Sequence, residues 1–272
     1  MGVLDEQALN DLERRDPDAA LTLLAEMSGA TDERLRRRAR AIAGRIMLRA
    51  ASRRGVPRPG VGRIGSMRWQ PGVDIDVDES MDALLPAAIA GRALDAEDLR
   101  GPGWIRPATA AALVIDRSGS MGGERMATAA VAAAAVALRA ADDYSVIAFG
   151  SGVRTLKAQR QPMGAERVVA DLLALRGHGR TDLAAALRAA VTQLNESAAP
   201  RRITLLLSDG RATAGDDPVA AARAVDELLV LAPVGGDETG AQASSLARTV
   251  GARYAEVTGP HSIPAAIAAI WP

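Results

Sequence analysis

The sequence predicts an α/β protein: a doubly wound, mostly parallel sheet with helices on both faces, preceded by a small N-terminal helical region. Three observations lead there. From about residue 108 to the end, short apolar runs alternate with helix-length segments. Runs such as AALVI and ITLLL are apolar without alternation, which implies strands buried on both faces and hence a parallel sheet covered by helices. Residues 3 to about 54 instead place apolar residues at helical spacing, behind residues suited to capping.

The N-terminal region, 1–54, begins with an acidic stretch. Asp16-Pro17 then offers an N-cap followed by proline at the first helical position. Leu21, Leu23, Leu24 and Met27 supply an apolar face, and Ser28-Gly29 stops the helix. Thr31 or Asp32 suits the cap of the next one. That helix is strongly basic, with Arg34, Arg36, Arg37, Arg38, Arg40, Arg45, Arg49, Arg53 and Arg54. Leu35, Ala39, Ile42, Ile46 and Leu48 lie near 3.6 spacing on its other side.

Residues 55–106 are expected to form a linker that packs on the domain after it. GVPRPGVGRIGSMRWQPG reads as loop. Val73, Ile75 and Val77 alternate with Asp74, Asp76 and Asp78, which suits a short edge strand, and a short helix follows. Charge divides sharply. Residues 31–70 carry roughly +10 and residues 71–100 roughly −6. Two readings stay open: the segments pair with each other, or the basic one faces a partner or nucleic acid.

Residues 107–272 carry the α/β pattern. Strands are expected at ATAAALVID, DYSVIAFG, VRTLKA, RRITLLLSDG, DELLVLAPVG and ARYAEVTG. Helices are expected over 124–141, 165–175, 182–194, 218–225, 241–250 and 263–270.

Composition removes several function classes. Lysine plus arginine and aspartate plus glutamate both number 33, so net charge points to no partner. Aromatics are 2%, which disfavours nucleic-acid modules that stack bases. With no cysteine there is neither a disulfide nor a thiolate metal site. The first residues are acidic and lack an apolar core, and no run reaches membrane-spanning length, so a cytoplasmic protein is expected. No GxxxxGK[ST] and no G-x-S-x-G occur, and only His178 and His261 are present. Self-contained NTPase, zinc-hydrolase and serine-hydrolase chemistry are therefore not expected, and neither is any other enzyme activity.

What remains is a constellation of oxygens. The strand ALVI ends in Asp116-Arg117-Ser118-Gly119-Ser120-Met121, a carboxylate and two hydroxyls spaced two apart. The strand ITLLL ends in Ser208-Asp209-Gly210. Between them, GHGRTDL presents Thr181 and Asp182 at a helix start. Three loops thus bring oxygen donors to the carboxyl edge of one sheet, where open α/β sheets bind ligands. Hard cations such as Mg²⁺ and Ca²⁺ require such donors. Asp-x-Ser-x-Ser alone is a weak signal, because a capped turn looks the same.

Together, DRSGSM, GRTDL and LLLSDG resemble the metal-ion-dependent adhesion site of the von Willebrand factor A family, over roughly residues 108–272. The resemblance implies that Ser118 and Ser120 bind the metal through their hydroxyls. It implies that Thr181 binds directly or through water, and that Asp116 and Asp209 sit close by, largely through waters. The implied cofactor is Mg²⁺, with Mn²⁺ or Ca²⁺ as substitutes. The implied function is capture of an acidic residue of a partner protein. DIDVDESMDALL and GRALDAEDLRGPGWIRPATAAALVIDRSGSM further resemble the bacterial branch found with MoxR-type ATPases and the magnesium chelatase D subunit. That implies a AAA+ ATPase partner, or alternatively a non-catalytic place in a chelatase-like metal-insertion complex. Arg180, Arg211 and His178 flank the motif. Trp69, Trp104 and Trp271 fall outside the strand pattern and read as packing anchors.

Overall fold

The computed structural model describes residues 5–30, 32–52, 63–69, 72–93, 98–105, 108–117, 123–140, 143–175, 179–234 and 240–271. The chain divides into two compact units, one of residues 1–56 with 109–272 and one of residues 57–108.

The larger unit is built on a six-stranded sheet. Its strands are β3 (Thr109–Asp116), β4 (Tyr144–Phe149), β5 (Val153–Lys157), β6 (Arg201–Leu207), β7 (Leu228–Pro233) and β8 (Arg253–Val257), in the order β5-β4-β3-β6-β7-β8. All pairs are parallel except β4–β5, which places the antiparallel strand at one edge. The mostly parallel, doubly covered sheet expected from the apolar runs is therefore present.

The two faces of β3 feed two separate cores. Ala111, Leu113 and Ile115 point into one, Ala110, Ala112 and Val114 into the other, as a period of two requires. On the second face lie α7 (Leu183–Leu194), α8 (Pro218–Arg223) and α9 (Ala241–Val250), which contribute Leu183, Leu187, Ala222 and Leu246. The first face is covered by α5 (Gly123–Ala140), α6 (Ala165–Leu173) and α10 (Ile263–Ile270).

Helix α5 explains the alanine run. Every residue from Met126 to Val136 is buried, so α5 has no solvent face over that length. A helix apolar all round needs cover all round. The sheet supplies one side, and α2 (Pro17–Met27) and α3 (Glu33–Ser52) supply another, through Leu21, Leu24, Ile42, Ile46 and Met47 of the same core. Alanine lets the backbones come close on both sides.

The N-terminal helices start where capping chemistry places them. Asp5 accepts from the Gln7 and Ala8 amides to begin α1 (Glu6–Arg15). Asp16 accepts from Ala19 N at 3.0 Å, with Pro17 at the first position of α2. Asp32 caps α3 through Arg34 N and Leu35 N, and Thr31 lies outside the described residues. Some of the α3 charge is answered within the helix, where Glu33 pairs with Arg36 and Arg37.

The smaller unit departs from expectation twice. The edge strand expected over 73–77 does not form. Asp76 instead turns its carboxylate to Glu79 N at 3.1 Å and caps α4 (Val77–Ala90). Local side-chain-to-backbone bonding by aspartate has outweighed the alternation. Second, part of the expected loop is a strand: β1 (Arg63–Arg68) pairs antiparallel with β2 (Arg100–Ile105), with Arg68 opposite Arg100. The Gly- and Pro-rich composition hid a strand whose partner lies far along the chain. Ser80 ties α4 to β2 by accepting from Arg100 N at 2.9 Å.

Candidate metal centre

Strand β3 delivers Asp116 at its last position, opposite Phe149 of β4. Its register with β6 pairs Ile115 with Leu207, so Ser208 is the next residue beyond β6 and sits beside Asp116. Ser208 is buried and its hydroxyl donates to Asp116 Oδ2 at 2.7 Å. The Ser208 hydroxyl oxygen in turn accepts from Gly210 N at 3.0 Å. Asp116 and the Ser208-Asp209 turn are thus joined directly at the carboxyl edge.

Asp209 is oriented by its own turn. Its Oδ1 accepts from Arg211 N at 2.9 Å, and its carbonyl accepts from Ala243 N of α9 at 3.1 Å. Gly210 has φ +80°, and a Cβ there would lie 2.5 Å from the Ala243 nitrogen. Only glycine allows the turn to pass α9 this closely.

Thr181 is 2% exposed and is stitched to the loop after β6 on both sides of its peptide. Its amide donates to Thr213 Oγ1 at 2.8 Å, and its carbonyl accepts from Thr213 N and Ala214 N. The next residue, Asp182, donates its amide to Gly150 O at 2.9 Å and caps α7 through Ala185 N. Gly150 follows β4, whose Phe149 carbonyl accepts from Arg117 N at 2.8 Å. The Arg117 side chain lies over Gly150, 3.7 Å from where a Cβ would stand. Asp116 and Arg117 at the end of β3, Thr181 and Asp182 before α7, and the segment after β6 are therefore linked along one rim.

Of the five expected ligands, the structure brings Asp116, Thr181 and Asp209 to this rim. Ser118 and Ser120 lie outside the described residues, as does His178. Arg180 and Arg211 are exposed beside the rim. Two residues the sequence reading did not single out as ligands or supports, Ser208 and Thr213, hold the expected ones in place. A polar residue closing a buried apolar strand was the available signal for Ser208; Thr213 had none. Among the described residues, no three carboxylate or imidazole side chains cluster closely enough to hold a metal by themselves. The rim offers hydroxyl and carboxylate oxygens in mixture, and with no cysteine in the chain every donor there is hard.

Of the tryptophans, Trp271 is buried in the first core, where Arg139 lies over its ring. Trp69 donates its indole N–H to Val73 O at 2.7 Å within the smaller unit.

Comparison with known proteins agrees with the fold and matches the segment that bears the motif. Residues 111–211 match the family model described as von Willebrand factor type A domain. No curated protein gives a match. Among solved structures, a von Willebrand factor type A protein from Catenulispora acidiphila aligns at 16% identity and a TM-score of 0.49, covering 62% of this chain and 43% of that one. The D319A mutant of the PilB minor pilin from Streptococcus sanguinis aligns at 13% identity and a TM-score of 0.51, covering 63% of this chain and 64% of that one. The conserved hypothetical protein BatB from Bacteroides thetaiotaomicron aligns at 16% identity and a TM-score of 0.46, covering 59% of this chain and 96% of that one. The chain thus spans less than two thirds of the length of the first two. Residues 111–211, which hold every expected ligand position, are thus similar to a von Willebrand factor type A domain.

Proposed function

We propose that this von Willebrand factor type A domain is a protein-interaction module whose rim holds one divalent cation, Mg²⁺ by preference, and uses it to grip a carboxylate of a partner protein. The observation that carries the reading is the Ser208–Asp116 hydrogen bond, in a rim where Thr181 and Asp209 are fixed by separate loops. The hydroxyls of Ser118, Ser120 and Thr181, with the carboxylates of Asp116 and Asp209, suit a hard cation without cancelling its charge. When bound, the cation supplies a positive centre with a coordination position for an outside carboxylate.

The chain's own residues do the rest. Ser118, Ser120 and Thr181 are the proposed direct or near-direct ligands. Asp116 and Asp209 hold the surrounding waters and balance charge. Ser208 orients Asp116, and Thr213 orients the peptide of Thr181. Helix α5 starts at Gly123, so its positive end also favours an incoming anion. The partner class we propose is a AAA+ ATPase of the MoxR type in the cytoplasm, with this chain as adaptor. Support for that class is the resemblance of the flanking segment alone. No described helix is long and apolar enough to cross a membrane.

The test is affinity capture from the native cytosol with Mg²⁺ and with a chelator, wild type beside Ser118→Ala and Asp116→Ala. Both variants are expected to keep the fold and lose the Mg²⁺-dependent partner. Capture that ignores both the chelator and the substitutions contradicts the reading.

A further inference from the structure

Within the smaller unit, helix α4 carries an apolar stripe that the unit's own packing leaves open. Val77 is 55% exposed, Met81 43%, Leu85 58% and Ile89 81%. They recur every fourth residue, so they form one ridge about 18 Å long on one side of the helix. The buried positions of α4, Ser80 and Ala87, lie on a different side. Soluble chains rarely leave four large aliphatic side chains contiguous in water, and such patches mark interaction sites.

The charge that α4 itself and the residues just before it carry is of one sign. Asp78, Glu79 and Asp82 are on α4, and Asp74 and Asp76 immediately precede it. The first basic residue after Arg68 is Arg92, beyond the end of the helix. By helical spacing Asp78 stands three residues before Met81 and Asp82 three before Leu85, so both fall along the flank of the ridge. A second copy of α4 would bring acid against acid. A partner whose apolar face is bordered by arginine or lysine would meet complementary charge.

We propose that α4 is a docking face for a basic amphipathic helix of a partner protein, which lays apolar residues along Val77, Met81, Leu85 and Ile89 and pairs its cations with Asp78 and Asp82. This face shares no residue with the cation rim, and its binding does not depend on metal.

The test is fluorescence polarisation on the full chain with two labelled helical peptides of the length of α4. Both carry leucine every fourth residue; one is flanked by arginine and the other by glutamate. The arginine peptide is expected to bind, to weaken as salt rises, and to be unaffected by a chelator. Ile89→Gln is expected to weaken it roughly tenfold, the affinity equivalent of one buried aliphatic side chain. Asp82→Asn, which leaves the ridge intact, is expected to flatten the salt dependence. Equal binding of both peptides, binding of neither, or a concentration-dependent dimer abolished by Ile89→Gln overturns the proposal. Binding lost with the chelator assigns it to the cation rim instead, whereas failure of the rim reading leaves this result untouched.

Discussion

Ser208 uses its hydroxyl twice, donating to Asp116 and accepting from Gly210 N. Because it is buried, removing it leaves one carboxylate oxygen and one amide without that partner. Ser208→Ala is expected to cost about 1–3 kcal/mol in urea unfolding, and to weaken divalent-cation binding by releasing Asp116. Ser208→Thr, which keeps the hydroxyl, is expected to retain most of the cation affinity. Lys157, the sole lysine, is buried under the other edge of the sheet, with its ammonium 4.0 Å from the Tyr144 ring centroid and donating to Tyr144 O at 2.6 Å. Lys157→Ala removes both the buried stem and that donor. It is expected to lower the unfolding free energy measured in urea by about 2 kcal/mol, with no effect on cation binding. At this scale the sequence was informative about Asp116, Thr181 and Asp209, because their neighbours form a spaced pattern. It was silent on the Ser208–Asp116 bond, whose partners stand 92 residues apart.

At the scale of the element, the rim depends on how each loop leaves its strand or enters its helix. Gly210 holds φ +80° against the backbone of α9. Gly210→Ala is expected to destabilise the domain by about 1–3 kcal/mol and to displace Asp209, seen as a lower melting temperature together with weaker cation binding. Asp182 caps α7 immediately after Thr181. Strand and helix positions in this domain were legible because apolar runs and caps are local signals. The register of Ile115 with Leu207, which sets Asp116 beside Ser208, was not, since pairing is chosen by the whole sheet. The same limit hid β1, whose residues read as loop until β2 supplies their hydrogen bonds. The misread strand at 73–77 shows the reverse case, a local cap at Asp76 prevailing over periodicity.

For the larger unit taken whole, the N-terminal helices are part of the core. Leu24, Ile46 and Met47 are buried in the cluster that contains Leu113 and Ile115 of β3. Ile46→Ala is expected to cost about 2–5 kcal/mol and to lower one cooperative unfolding transition for this unit. An early, separate loss of helix would contradict a shared core. Strand β3, which carries Asp116 to the carboxyl edge, lies between the two cores. The most direct test of the central claim is calorimetric titration of Mg²⁺ and of Mn²⁺ into metal-free protein, wild type beside Ser118→Ala and Asp209→Ala. One saturable site in the wild type, lost in both variants with far-ultraviolet circular dichroism unchanged, is the expected result. No heat of binding in the wild type, or the same binding in the variants, would contradict it.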